Sequence, residues 1–95
     1  MKSISFSWDD RKNSTNQKKH KVSFEEAQSV FFDGYAIEYY DPDHSHSEDR
    51  FLLLGLSYQV RVLVVSYTFR RDDKEVRIIS ARKATKKEQK VYLGE

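Results

Sequence analysis

The chain has 95 residues, a formal net charge of +2 and no cysteine. This length predicts a single domain over residues 1–95, and the cysteine count excludes disulfide bonds and thiolate chemistry. No apolar run approaches the roughly 20 residues that cross a bilayer. The first residues also lack the long apolar stretch of a signal peptide, so we expect a cytoplasmic protein with no membrane partner.

The charges are segregated along the chain. Residues 1–23 carry six Lys or Arg and two Asp, whereas residues 24–49 carry eight Asp or Glu and no Lys or Arg. Residues 60–95 carry ten Lys or Arg against five Asp or Glu. This pattern predicts a basic face beside an acidic one. A basic face attracts phosphate groups, although solvated surfaces of unrelated elements would give the same counts.

The N-terminal third of the chain reads as a strand followed by two helices. Residues 4–8 alternate between apolar and polar, which predicts a half-buried strand. Asp9 or Asp10 then caps a polar helix over residues 11–21. Ser23 and Glu26 have the spacing of a capping box, so a second helix is predicted over residues 24–32.

The rest of the chain reads as four strands and a helix. The strands are predicted at residues 35–40, 50–57, 60–69 and 75–81, and the run VLVV within the third indicates a central strand. Thr85 and Glu88 form a second capping box before a helix that ends near Leu93. The order β-α-α-β-β-β-β-α predicts an α+β domain, a small antiparallel sheet with helices packed on one face. The other face would be open for a site.

Arginines at strand ends are candidates for binding phosphate. Arg82 lies at a strand exit just before a helix N-terminus, where anions are favoured, and its planar fork suits phosphate oxygens. The alternative is a surface ion pair with Glu48 or Asp49. Strict alternation places Arg77 and Arg82 on opposite faces of their strand.

The histidines offer candidate proton carriers. His20 follows two lysines, which disfavour its charged form and would suit a neutral base. The alternative is that it only meets the helix macrodipole. His44 and His46 lie in the loop DPDHSHSE beside Asp43 and Glu48. This spacing does not match the recognised metal motifs, so we predict no metal.

Several stretches together resemble a known family. The chain contains FSWDDRKN, KHKVSFEEA, DPDHS followed by EDRFLLLGLS, RVLVVSYT and, most specifically, RIISARKATKKE. In these segments the chain resembles the BrnT toxins of bacterial type II toxin–antitoxin systems. The resemblance implies a RelE-like fold and a ribonuclease that slows translation without a metal or other cofactor. It also implies a BrnA-type antitoxin as partner, with operator DNA contacted only through that antitoxin.

Metal-free RNA cleavage needs an acid, a base and cations that neutralise the reacting phosphate. With this chemistry, the resemblance makes candidate catalytic residues of His20, His44, Glu48, Arg50 and Arg82. Candidate RNA-binding residues are Arg61, Tyr67, Arg77, Lys83, Lys86 and Lys87, with Tyr67, or an exposed aromatic residue nearby, expected to stack on a base. The competing hypothesis is a non-catalytic binding module, or a degenerate toxin that only docks its antitoxin and helps to repress the operon.

Overall fold

The computed structural model describes residues 4–95, so residues 1–3 of the predicted domain lie outside it. The strands are β1 (Ser5–Ser7), β2 (Ile37–Tyr40), β3 (Arg50–Leu56), β4 (Val62–Arg70) and β5 (Glu75–Lys83). The helices are α1 (Asp10–His20), α2 (Phe24–Ser29) and α3 (Lys86–Leu93), with short 3-10 turns at Val30–Phe32 and Pro42–His44. The predicted α+β class and order of elements are confirmed. None of the described helices is long and apolar enough to cross a membrane.

Within residues 4–95 the sheet has the strand order β1-β5-β4-β3-β2. Strands β2 to β5 pair antiparallel, as predicted, but β1 pairs with β5 in parallel. The sheet is therefore mixed. The sequence did not reveal this because β1 leads into two helices rather than a tight hairpin, and no local turn fixes the direction of its pairing.

Helices α1 and α2 cover one face of the sheet, called here the inner face. Phe24 and Val30 pack there against Leu63 and Tyr67. Although α1 is polar, Asn16 fastens it to the sheet, because its Nδ2 donates to the carbonyls of Val22 and Ala81 at 2.8 Å each. Its Oδ1 also accepts from the N–H of Ala81 at 3.2 Å. A buried amide thus replaces the apolar stripe that an amphipathic helix would use.

Helix α3 packs on the opposite face, called here the outer face. Its predicted Thr85–Glu88 capping box is present. Tyr92 packs against a second cluster that includes Leu54 and Val64, and its hydroxyl donates to Asp33 Oδ2 at 2.6 Å. The helices therefore do not all lie on one face, and α3 narrows the open part of the outer face.

A β-bulge changes which side chains share a face. Ser66 lies opposite Ser80 but Tyr67 lies opposite Ile78, so Ile79 is an extra residue in β5. Because one inserted residue reverses the alternation, Arg77 and Arg82 both lie on the outer face. The sequence-based assignment to opposite faces is wrong for this reason.

Candidate active site

A cross-strand row of polar side chains crosses the outer face near one end of the sheet. The N–H of Asp41 donates to the carbonyl of Arg50 at 2.9 Å, Arg50 lies opposite Thr68, and Thr68 lies opposite Arg77. Facing residues of neighbouring strands project to the same side. We call Asp41, Arg50, Thr68 and Arg77 the arginine row.

His44 is held at one end of the arginine row. Its Nδ1 lies 2.8 Å from Asp41 Oδ2, and its side chain is 67% exposed. Ser45 connects the loop to the ends of both neighbouring strands. Its hydroxyl donates to the Asp41 carbonyl, next to β2, at 2.6 Å and accepts from the N–H of Arg50, which begins β3, at 2.9 Å. A carboxylate at Nδ1 favours the tautomer with the proton on that nitrogen. Nε2 is then free to accept a proton from a reactant.

The two arginines of the row are only loosely engaged with carboxylates. A terminal nitrogen of Arg50 lies 3.6 Å from Glu48, beyond hydrogen-bond distance, and Glu48 also lies 3.8 Å from Arg70. The Nε of Arg50 is buried without a hydrogen-bond partner among residues 4–95. Within the same residues, Arg77 forms no ion pair. The terminal nitrogens of Arg50 and the guanidinium of Arg77 therefore retain donors for an anion.

Arg82 is engaged much more tightly, and it lies two rows away, opposite Val64. Its two terminal nitrogens donate to the two oxygens of Glu88 at 2.8 and 2.9 Å. The hydrogen bonds from Arg82 are the main reason why the pKa of Glu88 is lowered to about 2. Its partner is thus neither Glu48 nor Asp49, and the predicted contact of Arg82 with phosphate stays a prediction.

Arg61 is a structural residue in this fold. Its Nε donates to Glu26 Oε2 at 2.9 Å, a terminal nitrogen donates to Glu26 Oε1, and Ser57 donates to the same carboxylate at 2.6 Å. Glu26 is 1% exposed. Burial opposes its ionisation, but the hydrogen bonds from Arg61 and Ser57 outweigh burial and lower its pKa. The side chain of Glu26 therefore pairs with Arg61 and does not complete the capping box with Ser23. The Ser23 side chain still accepts a hydrogen bond from the Glu26 N–H.

The aromatic residue predicted to stack on a base is buried. Tyr67 is 1% exposed, and its hydroxyl donates to Glu38 on β2. An exposed stacking role for Tyr67 is therefore wrong, because alternation identifies a shared face but not which face the helices cover. Tyr39 and Tyr40 on β2 are exposed instead.

The remaining candidates lie apart from the arginine row. His20 ends α1, four residues beyond the contacts of Asn16 with Ala81, which places it towards the Lys83 end of β5. The structure therefore does not bring His20 and His44 together. Lys83 is exposed at this far end of β5, and Lys86 and Lys87 are exposed in the first turn of α3. Sequence reasoning missed Asp41, although its i, i+3 spacing to His44 across Pro42 was a usable signal.

A hollow of about 380 Å³ lies beside the arginine row. Its lining combines three carboxylates with a hydroxyl and two aromatic rings: Glu48, Asp49, Asp73, Thr68, Phe51 and Phe69. The carboxylates disfavour a phosphate inside this hollow. Among residues 4–95, no three His, Asp or Glu side chains converge as metal ligands would.

Comparison with known proteins identifies the family. The family model described as "Ribonuclease toxin, BrnT, of type II toxin-antitoxin system" matches residues 8–88. The crystal structure of the Brucella abortus ribonuclease toxin BrnT is similar to this fold, with a TM-score of 0.67 and 19% sequence identity. That similarity covers 88% of this chain and all of the Brucella chain. A search of curated proteins gave no match. The family match spans every strand from β2 to β5 and the whole arginine row, so the chain belongs to the BrnT family of ribonuclease toxins of type II toxin–antitoxin systems.

Proposed function

We propose that the chain is a metal-independent endoribonuclease that inhibits translation in the cytoplasm and is neutralised by a BrnA-type antitoxin. The observation that carries the catalytic part is the contact of 2.8 Å between His44 and Asp41 at the end of the arginine row. It combines an oriented imidazole with two cations on one face of the sheet. These are the base and the cations that RNA cleavage by the neighbouring 2′-hydroxyl requires.

In the proposed reaction, Nε2 of His44 takes the proton of the ribose 2′-hydroxyl. The 2′-oxygen then attacks the adjacent phosphorus to form a 2′,3′-cyclic phosphate, the bond from phosphorus to the 5′-oxygen breaks, and the leaving 5′-oxygen takes up a proton from water. Arg50 and Arg77 stabilise the negative charge that builds on the phosphate oxygens. Glu48, 3.6 Å from Arg50, is the alternative base.

The charge distribution supports a defined path for the RNA backbone. The acidic hollow beside the arginine row repels phosphates, whereas the exposed lysines Lys83, Lys86 and Lys87 attract them at the other end of the sheet. We propose that these lysines guide the strand towards Arg77 and Arg50. In the complex, the antitoxin would contact operator DNA, and the toxin would not.

The proposal is tested by expressing the chain in bacteria with and without the gene beside it, and by incubating purified chain with RNA in EDTA. Growth arrest that the neighbouring gene relieves, together with cleavage in EDTA, is the expected result. Arg50→Gln should lower the cleavage rate roughly 10²–10³-fold, while Arg11→Gln on the exposed side of α1 should not.

A purified chain that binds its partner and RNA but never cleaves would contradict the catalytic proposal. It would instead support a degenerate toxin that only docks its antitoxin. Cleavage that stops in EDTA would contradict the metal-independent mechanism.

A further inference from the structure

The outer edge of β2 has no strand beside it in the described part of the chain. The hydrogen bond from the Asp41 N–H to the Arg50 carbonyl shows which residues of β2 direct their backbone groups towards β3. Because hydrogen-bonded and non-hydrogen-bonded pairs alternate in an antiparallel ladder, the backbone groups of Tyr39 and Ile37 form hydrogen bonds with β3. The backbone groups of Glu38 and Tyr40 therefore point outwards, where an added strand would bond them.

An apolar groove of about 290 Å³ runs next to this edge on the outer face. It lies between the sheet and α3, and it is lined by Tyr39, Leu52, Leu54, Val64, Glu88 and Val91. Arg82 already neutralises Glu88, so the lining presents mainly apolar surface. Alternate side chains of a strand added to β2 would project towards this groove.

Charge selects the kind of partner that fits this surface. The loop that follows β2 contributes Asp41, Asp43, Glu48 and Asp49, and residues 24–49 contain no Lys or Arg. Strand β2 carries no cation to offset these carboxylates, so its edge disfavours an RNA backbone, whereas the proposed reacting phosphate is offset by Arg50 and Arg77 on other strands. This acidic loop also opposes the pairing of two copies through β2, because both edges would bring the same carboxylates together. A basic polypeptide segment is the complementary partner.

We propose that the β2 edge and this groove form the docking surface for the antitoxin, which adds an extended segment with alternating basic and aliphatic side chains as a further strand. The inference rests on the proposed function, since it specifies the surface for the neutralising partner. Strand β2 runs directly into Asp41, so a docked segment also covers the Asp41–His44 contact. Neutralisation would then follow from occlusion of the arginine row.

Two measurements on the complex with the protein encoded beside this gene test the proposal. Hydrogen exchange at the amides of Glu38 and Tyr40 should slow by at least roughly tenfold in the complex, because the added strand bonds them. Val91→Lys should weaken partner binding by at least roughly tenfold, since it places a charged side chain in the apolar groove that receives the aliphatic side chains of the added strand. Leu93→Lys, also exposed on α3 but outside the groove, is the matched control and should change binding less than about twofold.

Tyr40→Pro provides a second variant, to be compared with Tyr40→Ala, because both lose the contacts of the side chain with Phe51 and Asp49 but only the proline removes the outward N–H. It should weaken binding without lowering the thermal stability of the free chain by more than a few degrees. A partner that relieves growth arrest but leaves both amides exchanging freely, or that binds both lysine variants equally, would overturn this docking surface alone. Protection of the same amides by RNA would overturn it too. A chain with no neutralising partner would contradict the proposed function and this inference together.

Discussion

Four arginines of the sheet region differ in what their guanidinium groups bind. Arg61 and Arg82 each donate through two nitrogens to one carboxylate, Glu26 and Glu88 respectively. Arg50 meets Glu48 only at 3.6 Å. Bidentate pairing at hydrogen-bond distance fixes a guanidinium, whereas a longer contact leaves donors for phosphate. The structure therefore favours Arg50 and Arg77 over Arg61 as contacts for the reacting phosphate.

Removing Arg61 should lower stability rather than only weaken RNA binding. Arg61→Ala would leave the carboxylate of Glu26 buried without its cation, and we expect a loss of roughly 3–5 kcal/mol in the free energy of unfolding. Lys83→Ala, which truncates an exposed cation, should change it by less than about 0.5 kcal/mol. Urea unfolding measures both. Unchanged stability of Arg61→Ala with weaker RNA binding would restore Arg61 as an RNA contact.

Glu88 should make unfolding pH-dependent in acid. Its pKa is lowered from 4.5 to about 2, mainly by the hydrogen bonds from Arg82. The unfolded chain therefore binds a proton at higher pH than the folded chain does. The stability that Glu88 contributes is present above about pH 4.5 and is lost as the pH falls towards 2.

Thermal unfolding between pH 2 and 6 measures this contribution. Wild type should be more stable than Glu88→Gln at pH 6, and the difference should shrink steadily towards pH 2. A constant difference across this range would show that the Arg82–Glu88 pair does not have the predicted linkage.

At the scale of elements, β3 and the 3-10 turn at Val30–Phe32 approach each other through Gly55. A Cβ at Gly55 would lie 2.8 Å from Val30 Cγ1 and 2.9 Å from Ala36 Cβ. Gly55→Ala should therefore lower the free energy of unfolding by about 1–3 kcal/mol. A Cβ at Gly34 would meet nothing within 4 Å, so Gly34→Ala should leave stability unchanged or raise it by up to about 1 kcal/mol. Equal effects in chemical denaturation would contradict this packing.

The elements also show where local sequence rules reach their limit. Thr85 and Glu88 predicted the start of α3 because both halves of a capping box are local. Ser23 and Glu26 have the same spacing, yet Glu26 turns to Arg61, which lies 35 residues further along the chain. The bulge at Ile79 and the parallel pairing of β1 are likewise set by contacts between distant segments. Periodicity carries no information about them.

The candidate site likewise contains residues that local sequence signals predicted and residues whose roles depend on contacts formed only in the folded chain. Arg50 and His44 were predicted from their positions at a strand start and in a polar loop, and the structure brings that loop against the strand through Ser45. Asp41 was missed because its role depends on the 3-10 turn at Pro42–His44, which brings its carboxylate against Nδ1 of His44. Tyr67 was placed on the correct strand, but its burial follows from the packing of α2 and Phe31 on that face.

Considered as a whole, the molecule separates its charges along the sheet. The corner formed by the loop after β2 and the turn after β4 combines Asp41, Asp43, Glu48, Asp49 and Asp73 with the arginine row. Lys83, Lys86 and Lys87 extend from the other end. In the proposed function, the lysines attract the RNA backbone at one end, and Arg50 and Arg77 position its phosphate at the other. The two candidate histidines, His20 and His44, lie at these opposite ends, and this separation lets them be tested against each other.

The most direct test of the account is RNA cleavage by wild type, His44→Gln and His20→Gln between about pH 5 and 9 in EDTA. If His44 is the base, His44→Gln should lose roughly 10²–10⁴-fold in rate, and its pH–rate profile should differ from that of wild type. His20→Gln should keep both the rate and the profile. Normal cleavage by His44→Gln, or the loss of activity in His20→Gln alone, would contradict the assignment of the arginine row as the active site.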